Sequence, residues 1–192
     1  MKKVFVILAA IIGFGNCVIA QNNLDFEFGH NLRGVFVPYN WYAGNGGIFK
    51  YGDEKGYKVY LDSLERHSGK YSLKMEMTNE SVVNGFGVFT GTFYPIEDFA
   101  GKTVEYRGWI KTKNVRNGYA GLWLRIDGAD KNVLGFDNMH NRGLHGDNVW
   151  TQVSMKFEVS KDAKNINFGG LFTGEGTVWF DNLELYIDGK KY

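Results

Sequence analysis

Apolar and polar residues alternate with a period of two along most of this chain. The pattern is clear in residues 71–78, where Tyr71, Leu73, Met75 and Met77 are each followed by a polar side chain. Successive side chains of a β-strand point to opposite faces, so this alternation is typical of strands that are buried on one side. The same alternation runs through 119–127, 152–159 and 182–187, and further strands are predicted at 24–28, 57–62, 86–93, 103–112, 132–137 and 164–172.

Short turn signals separate these strands. Each contains a glycine beside a small or polar residue, as at Ser68-Gly69, Asn117-Gly118 and Asp127-Gly128. No stretch of the sequence carries a sustained apolar stripe of helical period. Many short antiparallel strands without crossover helices predict an all-β fold, namely an antiparallel β-sandwich of the jelly-roll type.

Residues 1–20 have the layout of a secretory signal peptide. Two lysines precede a short apolar run over 4–14, and small residues lead to a cleavage point after Ala20. The apolar run is too short for a stable membrane span. We therefore expect one domain over 21–192 in a protein that is secreted, periplasmic or held at the cell surface. Lipid anchoring at Cys17 is an alternative, although the residues before it match a lipidation signal poorly.

Composition and charge narrow the class of function. The net charge of +1 argues against strong electrostatic attraction to nucleic acid or acidic membranes. With cleavage after Ala20 the chain keeps no cysteine, so disulfides are not expected to stabilise it. Aromatic residues make up 16% of the chain. Aromatic side chains beyond those a core needs usually serve a binding surface.

Sequence motifs of catalysis are missing. There is no Gly-x-Ser-x-Gly elbow, and the expected mature chain has no thiol nucleophile. His140 and His145 lie near Asp137 and Asp147, where solvated loop residues are the ordinary interpretation and a metal or acid–base site is the alternative. A glycosidase pair needs two carboxyls roughly 5–10 Å apart, which Asp127 and Asp137 would meet only on facing strands. The chain is therefore predicted to bind a ligand, with a weak hydrolase as the lesser alternative.

Three polar-face residues of one strand form the candidate binding site. Trp123, Arg125 and Asp127 alternate with the aliphatic residues of 122–126 and so share the opposite sheet face. An indole can stack on a pyranose ring while the charged groups bond hydroxyls. The alternative is that a loop over 30–50 covers this face. For Trp109, which lies on the same parity, packing is the preferred interpretation, and for Trp123 both stay open.

Residues after the next strand extend this candidate site. If 132–137 forms a hairpin with 119–127, Asp137, Asn138 and Arg142 lie at the rim near Trp123. Carboxylate and amide groups at a rim give directional hydroxyl recognition. The alternative is capping of the loop through Asx turns, which Asp-Asn pairs commonly form.

Several separated segments resemble the galactose-binding-like β-sandwich family, which includes many carbohydrate-binding modules. The matching segments are Asn23 to Glu27, Asp62 to Lys74 with its His-Ser-Gly-Lys-Tyr-Ser-Leu run, and Val178 to Leu185. A closer resemblance is to the module that precedes the catalytic domain in some bacterial S41-type peptidases and erythromycin esterase-like proteins. It is carried by Gly118 to Gly128 and by Phe136 to Met139.

The resemblance also implies a structural calcium ion. Glu27 and Asp181 fall at the acidic positions that hold it in this family, with Ser68 and Lys70 as backbone donors and Asp62 as a further candidate. Oxygen ligands from distant chain segments suit calcium. The alternative is that Glu27 pairs with a lysine and Asp181 caps a turn.

Taken together, the sequence predicts a secreted, non-catalytic binding module for a carbohydrate or another polar cell-envelope ligand. Trp123 would stack on the ligand, Arg125, Asp127 and Asp137 would contact hydroxyls, and Trp41 or Tyr42 would form a loop lid. The rival hypothesis is a protein-interaction module at the cell envelope, which would use the same exposed aromatic residues.

Overall fold

A computed structural model describes residues 23–45, 48–49, 56–78, 85–91 and 94–192. Thirteen strands form within those residues, and two short 3₁₀-helices, Ile96–Asp98 and Ala129–Lys131, connect some of them. The strands are β1 Gly29–Leu32, β2 Val35–Pro38, β3 Trp41–Asn45, β4 Ile48–Phe49, β5 Tyr57–Asp62, β6 Ser72–Met77, β7 Phe86–Gly91, β8 Thr103–Asp127, β9 Val133–Asp137, β10 Leu144–Glu158, β11 Asn165–Thr173, β12 Glu175–Ile187 and β13 Lys190–Lys191.

The long strand β8 takes part in two antiparallel layers. Its first half pairs with β10 and β12, and β6 and β5 follow β12 to form what we call the first sheet. Its second half pairs with β9 and β11, and β7, β3 and β4 follow β11 to form the second sheet. Asn114 and Asn117 adopt positive φ angles of 54° and 56° between the halves, where the strand passes from one layer to the other.

The two sheets pack face to face through aromatic rings. Phe180 of the first sheet lies with its ring centroid 5.0 Å from that of Phe89 in the second. Tyr106 and Phe168 meet across the same interface at 5.1 Å. The buried Tyr106 hydroxyl donates to the carbonyl of Gly169 at 3.2 Å, and burial raises its pKa well above the usual value. This packing confirms the all-β, antiparallel sandwich that the alternation predicts.

Three local predictions are wrong. Residues 24–28 form no strand, because Phe26 turns at a φ of 58° into the core and the Asn23 side chain bonds the carbonyls of Phe28 and Tyr39. The proposed covering loop over 30–50 contains strands β1 to β4 instead. The two separate strands predicted at 103–112 and 119–127 are parts of one continuous strand, β8.

Other sequence predictions fall outside the described residues. The signal peptide over 1–20 and Cys17 lie before residue 23, so cleavage, export and lipid anchoring stay predictions. In the part of the chain that the structure describes, no helix is long and apolar enough to cross a membrane.

Candidate functional site

The outer face of the second sheet carries the predicted site residues of β8. Trp123, Arg125 and Asp127 are partly exposed, whereas Leu122, Leu124 and Ile126 between them are buried. The strand alternation therefore separates these two sets as expected.

The strand register places further side chains on the same face. Arg125 lies between Phe136 of β9 and Asn167 of β11, each directly opposite it in its own ladder. Trp123 lies opposite Gly169. Because cross-strand partners share a face, Phe136 and Asn167 flank Arg125 on the outer surface.

Trp123 lies across the sheet with its indole fixed. Its Nε1 donates to the carbonyl oxygen of Phe89, 3.1 Å away on β7, and the intervening strand β11 has Gly169 at this level. A Cβ at Gly169 would lie 1.9 Å from that carbonyl oxygen, so the close approach requires glycine. Trp123 is thus packed on the sheet and still lines the outer surface, and its contact with a ligand stays a prediction.

Two adjacent cavities lie along this face, and because Trp123 and Arg125 line both, we treat them as two halves of one groove. The first, which we call the apolar half, has a volume of about 440 Å³ and is otherwise lined by Phe86, Val88, Tyr119, Phe136, Asn138, Leu171 and Thr173. The second, the polar half, has a volume of about 710 Å³ and is otherwise lined by Tyr42, Thr90, Gly91, Tyr94, Asp127, Asn165, Ile166 and Asn167.

An ion pair sits in the polar half. Arg125 Nε donates to Asp127 Oδ1 at 2.8 Å, two residues along the same face of β8. The Arg125 side chain is 41% exposed and that of Asp127 only 15%. The pair is neutral overall, and the carboxylate orients a guanidinium whose charge-assisted donors face the groove.

The predicted lid residues have different positions. Trp41 is buried, donates its indole N–H to the Asn23 carbonyl at 2.9 Å and packs against Phe26 and Phe89, so its assignment to the ligand site is wrong. Tyr42 is 51% exposed and lines the polar half. It belongs to strand β3 and therefore forms a wall of the groove, not a lid.

The predicted rim residues pair with one another. Asp137 lies opposite Leu124 and accepts hydrogen bonds from Arg142 and, at 2.8 Å, from the Met139 amide. Burial raises the pKa of Asp137, but these bonds outweigh it and leave the pKa below its usual value. Asp137 and Arg142 are absent from the groove lining among the described residues, so the Asx-turn interpretation fits them better. Asn138 does line the apolar half.

Sequence reasoning missed several lining residues. Phe86, Phe136 and Leu171 build most of the apolar half, and Asn165 and Asn167 lie in the polar half. All five belong to strands that the alternation located correctly. The available signal was their parity relative to the buried residues of the same strands.

The predicted metal ligands are bonded to backbone amides. Asp181 is fully buried and accepts from the amides of His67 at 2.8 Å, Ser68 at 3.0 Å and Asn182 at 2.7 Å. Glu27 Oε1 accepts from the Lys70 amide at 2.7 Å. Asp181 on β12 therefore holds the segment 63–71 against the first sheet, and Glu27 ties the same segment to the N-terminal residues.

Asp62 is occupied in a similar way. Its carboxylate accepts from the Leu64 amide at 2.8 Å and from the Trp179 indole at 2.9 Å. Ser68 and Lys70 contribute N–H groups to their bonds with Asp181 and Glu27, where a cation would need oxygen atoms. No group of three His, Cys, Asp or Glu side chains suited to a metal ion forms among the described residues. The calcium ion stays a prediction that this geometry does not support.

Comparisons with known proteins place the fold. No family model matches the chain. Among solved structures, the CBM22-1 xylan-binding domain of Paenibacillus barcinonensis Xyn10C superposes with a TM-score of 0.52 at 14% identity, over 85% of this chain and 90% of that one. A second xylan-binding CBM22 domain gives 0.55 at 12% identity, over 86% and 97%. The fold is thus that of carbohydrate-binding modules with a galactose-binding-like β-sandwich, as the resemblance implies.

One further solved structure and one sequence relative show how much of a longer protein this chain matches. An arabinose-bound α-L-arabinofuranosidase, MgGH51, gives a TM-score of 0.57 at 14% identity, over 86% of this chain but 26% of that one. An uncharacterized HTH-type transcriptional regulator of Bacillus subtilis, YbfP, is 32% identical over 127 residues. This stretch is 66% of this chain and spans 42% of the regulator's length. The shared segment is therefore less than half of that relative.

Proposed function

We propose that this protein is a non-catalytic carbohydrate-binding module that holds a glycan in the groove of the second sheet. The observation that carries the proposal is the fixed indole of Trp123 beside the Arg125–Asp127 pair on the floor of that groove. An immobile aromatic surface loses little conformational entropy when a sugar ring stacks on it. The neighbouring ion pair offers oriented donors and acceptors for hydroxyls.

The polar half adds groups suited to hydroxyl recognition. Asn165 and Asn167 each carry an amide that can both donate and accept a hydrogen bond. Tyr42 adds an exposed aromatic ring at the wall. A concave site with a few polar groups around aromatic side chains is the usual form of a small-ligand or sugar site.

The carboxylates of the groove favour binding over hydrolysis. Among the described lining residues Asp127 is the one carboxylate, and it pairs with Arg125. Asp137 lies on the opposite parity, so the two do not face each other as a glycosidase pair requires.

The related folds suggest which ligands to test first. Two of the structural neighbours are named as xylan-binding domains, so a neutral plant-type polysaccharide is the first candidate here. Export through the predicted signal peptide would bring the protein into contact with such material, and calcium binding by Glu27 and Asp181 can be tested in the same assay.

The test is a glycan and polysaccharide array probed with the protein, repeated with a calcium chelator. We expect at least one polysaccharide to bind and Trp123→Ala to lose that binding at least tenfold while keeping the fold. The matched control is Trp150→Ala, which removes an indole from the first sheet. A blank array from folded protein would contradict the proposal and favour the protein-interaction module. Loss with chelator alone would support the calcium prediction.

A further inference from the structure

The two halves of the groove differ in chemistry although they adjoin each other at Trp123 and Arg125. This inference rests on the proposed function and concerns the kind of glycan that the groove accepts. Trp123 and Arg125 line both halves, so one ligand can cross from one to the other over the same indole. Only a ligand with two unlike parts would match both linings.

Apolar side chains enclose the apolar half from both sides. Phe136 on β9 is 54% exposed and Phe86 on β7 is 38% exposed, with two strands between them. Val88 and Leu171 form the floor and are nearly buried. Covering such exposed rings with an apolar group is favourable in proportion to the area removed from water. Sugar hydroxyls would lose water there without gaining enough partners.

The polar half carries more polar groups beside its aromatic side chains. Asn165, Asn167, Arg125 and Asp127 supply amide, guanidinium and carboxylate groups within one cavity. These groups match sugar hydroxyls, which both donate and accept. An unsubstituted sugar is therefore well placed in this half alone.

We propose that the groove selects a glycan bearing an apolar alkyl, acyl or aryl substituent, with the sugar in the polar half and the substituent in the apolar half. The apolar half, at about 440 Å³, has room for an aromatic ring or a short acyl chain. Asn138 and Thr173, which also line this half, can donate a hydrogen bond to the oxygen that links the substituent to the sugar.

The first experiment compares matched ligands by calorimetric titration. The probes are methyl, propyl and phenyl β-D-xylosides, and feruloylated arabinoxylan oligosaccharides before and after saponification. We expect about a fourfold gain in affinity for each methylene that becomes buried, and a loss of at least tenfold when saponification removes the feruloyl group.

Two variants separate the halves. Phe136→Ala should abolish the gain from the substituent, so that substituted and unsubstituted ligands bind this variant with equal affinity. Asn167→Ala should weaken substituted and unsubstituted ligands by the same factor. Val133→Ala is the matched control, because Val133 is 52% exposed on the same strand and lies outside the groove lining. Unchanged melting temperatures would show that Phe136→Ala and Val133→Ala both fold.

The outcomes distinguish this inference from the function on which it rests. Equal affinities for substituted and unsubstituted ligands, or a Phe136→Ala variant that keeps the gain, would overturn the inference alone. Binding by none of the probes, together with a blank glycan array, would overturn the proposed function and this inference with it.

Discussion

Trp109 and Trp123 lie on the same strand, β8, and on the same parity, yet their surroundings differ. Trp109 is on the outer face of the first sheet, where His67 stacks on it at 4.1 Å with an interplanar angle of 17°. Trp123 is on the outer face of the second sheet and lies over Gly169, lining a groove. A tryptophan at a polar position therefore has no fixed role, and its neighbours across the sheet decide it.

Charged groups show the same contrast between the two faces. On the first sheet, Lys111 pairs with Glu65 at 2.7 Å, close to Trp109 and the 63–71 segment. Lys74 pairs with Glu76 at 3.0 Å and lies over the Trp179 ring. On this face of the first sheet the charged and aromatic side chains are therefore partners of one another. On the second sheet, the Arg125 guanidinium is held by Asp127 and is directed into a cavity.

Among the substitutions that test this comparison, Gly169→Ala should cause the largest loss of stability. The added Cβ would meet the Phe89 carbonyl, a backbone atom that cannot move aside as a side chain can. We expect a loss of about 3 kcal/mol in the free energy of unfolding, measured by urea denaturation, because overpacking of this kind is costly. The displaced carbonyl should also release the Trp123 indole and abolish glycan binding.

Gly135→Ala is the control for that substitution. At Gly135 a Cβ would meet the Ile126 side chain at 3.2 Å, a contact that a small rotation relieves. We expect it to cost less than half as much. Equal losses of unfolding free energy in the two variants would show that the close approach of Gly169 to the Phe89 carbonyl is not the cause of the destabilisation.

Alanine substitution of each tryptophan is the direct test of the contrast. Trp109→Ala should cost about 2 kcal/mol, because it removes the ring on which His67 stacks, and should leave glycan affinity unchanged. Trp123→Ala should cost about 1 kcal/mol, chiefly its indole hydrogen bond. Thermal denaturation with calorimetric titration measures both quantities. A greater loss of stability for Trp123→Ala would place that residue with the core and contradict the proposed site.

The sequence pattern predicted part of this site for a clear reason. Trp123, Arg125 and Asp127 follow from the period of two, since one buried row fixes the opposite face of the same strand. Asn167 and Phe136 join them through pairing between strands, which a single strand's pattern does not contain. The register has to be known before neighbours on a face can be chosen.

Trp41 and Asp137 have surroundings that the sequence pattern does not predict, and the physical reason is similar for both. The sequence predicts Trp41 in a lid, but the turn at Phe26 and the Asn23 carbonyl draw its ring into the core. For Asp137, which the sequence predicts at a rim, the register opposite Leu124 and the nearby Arg142 give partners within the protein. Both outcomes depend on contacts between distant segments, which local alternation and turn signals do not encode.

The segment that covers Trp109 gives the pH-dependent prediction. Burial raises the pKa of Asp181 to about 6, against the lowering by its bonds from the amides of Ser68, Asn182 and His67. The folded pKa lies above the unfolded value near 3.9, so the folded state binds this proton more tightly. The stabilisation of the folded state by this proton is therefore complete below about pH 4 and is lost as the pH rises through about 6. Over this range the free energy of unfolding falls by at most about 1.4 kcal/mol per pH unit.

Asp181→Asn is the variant that isolates this effect, since it leaves every other titrating group in place. The difference in unfolding free energy between the wild-type protein and Asp181→Asn should shift against the wild type from pH 4 to pH 6, as followed by urea denaturation at each pH. A difference that is flat over this range would show that the amides of 67, 68 and 182 keep the carboxylate ionised. In that case the segment over Trp109 is held by a charged carboxylate throughout this pH range.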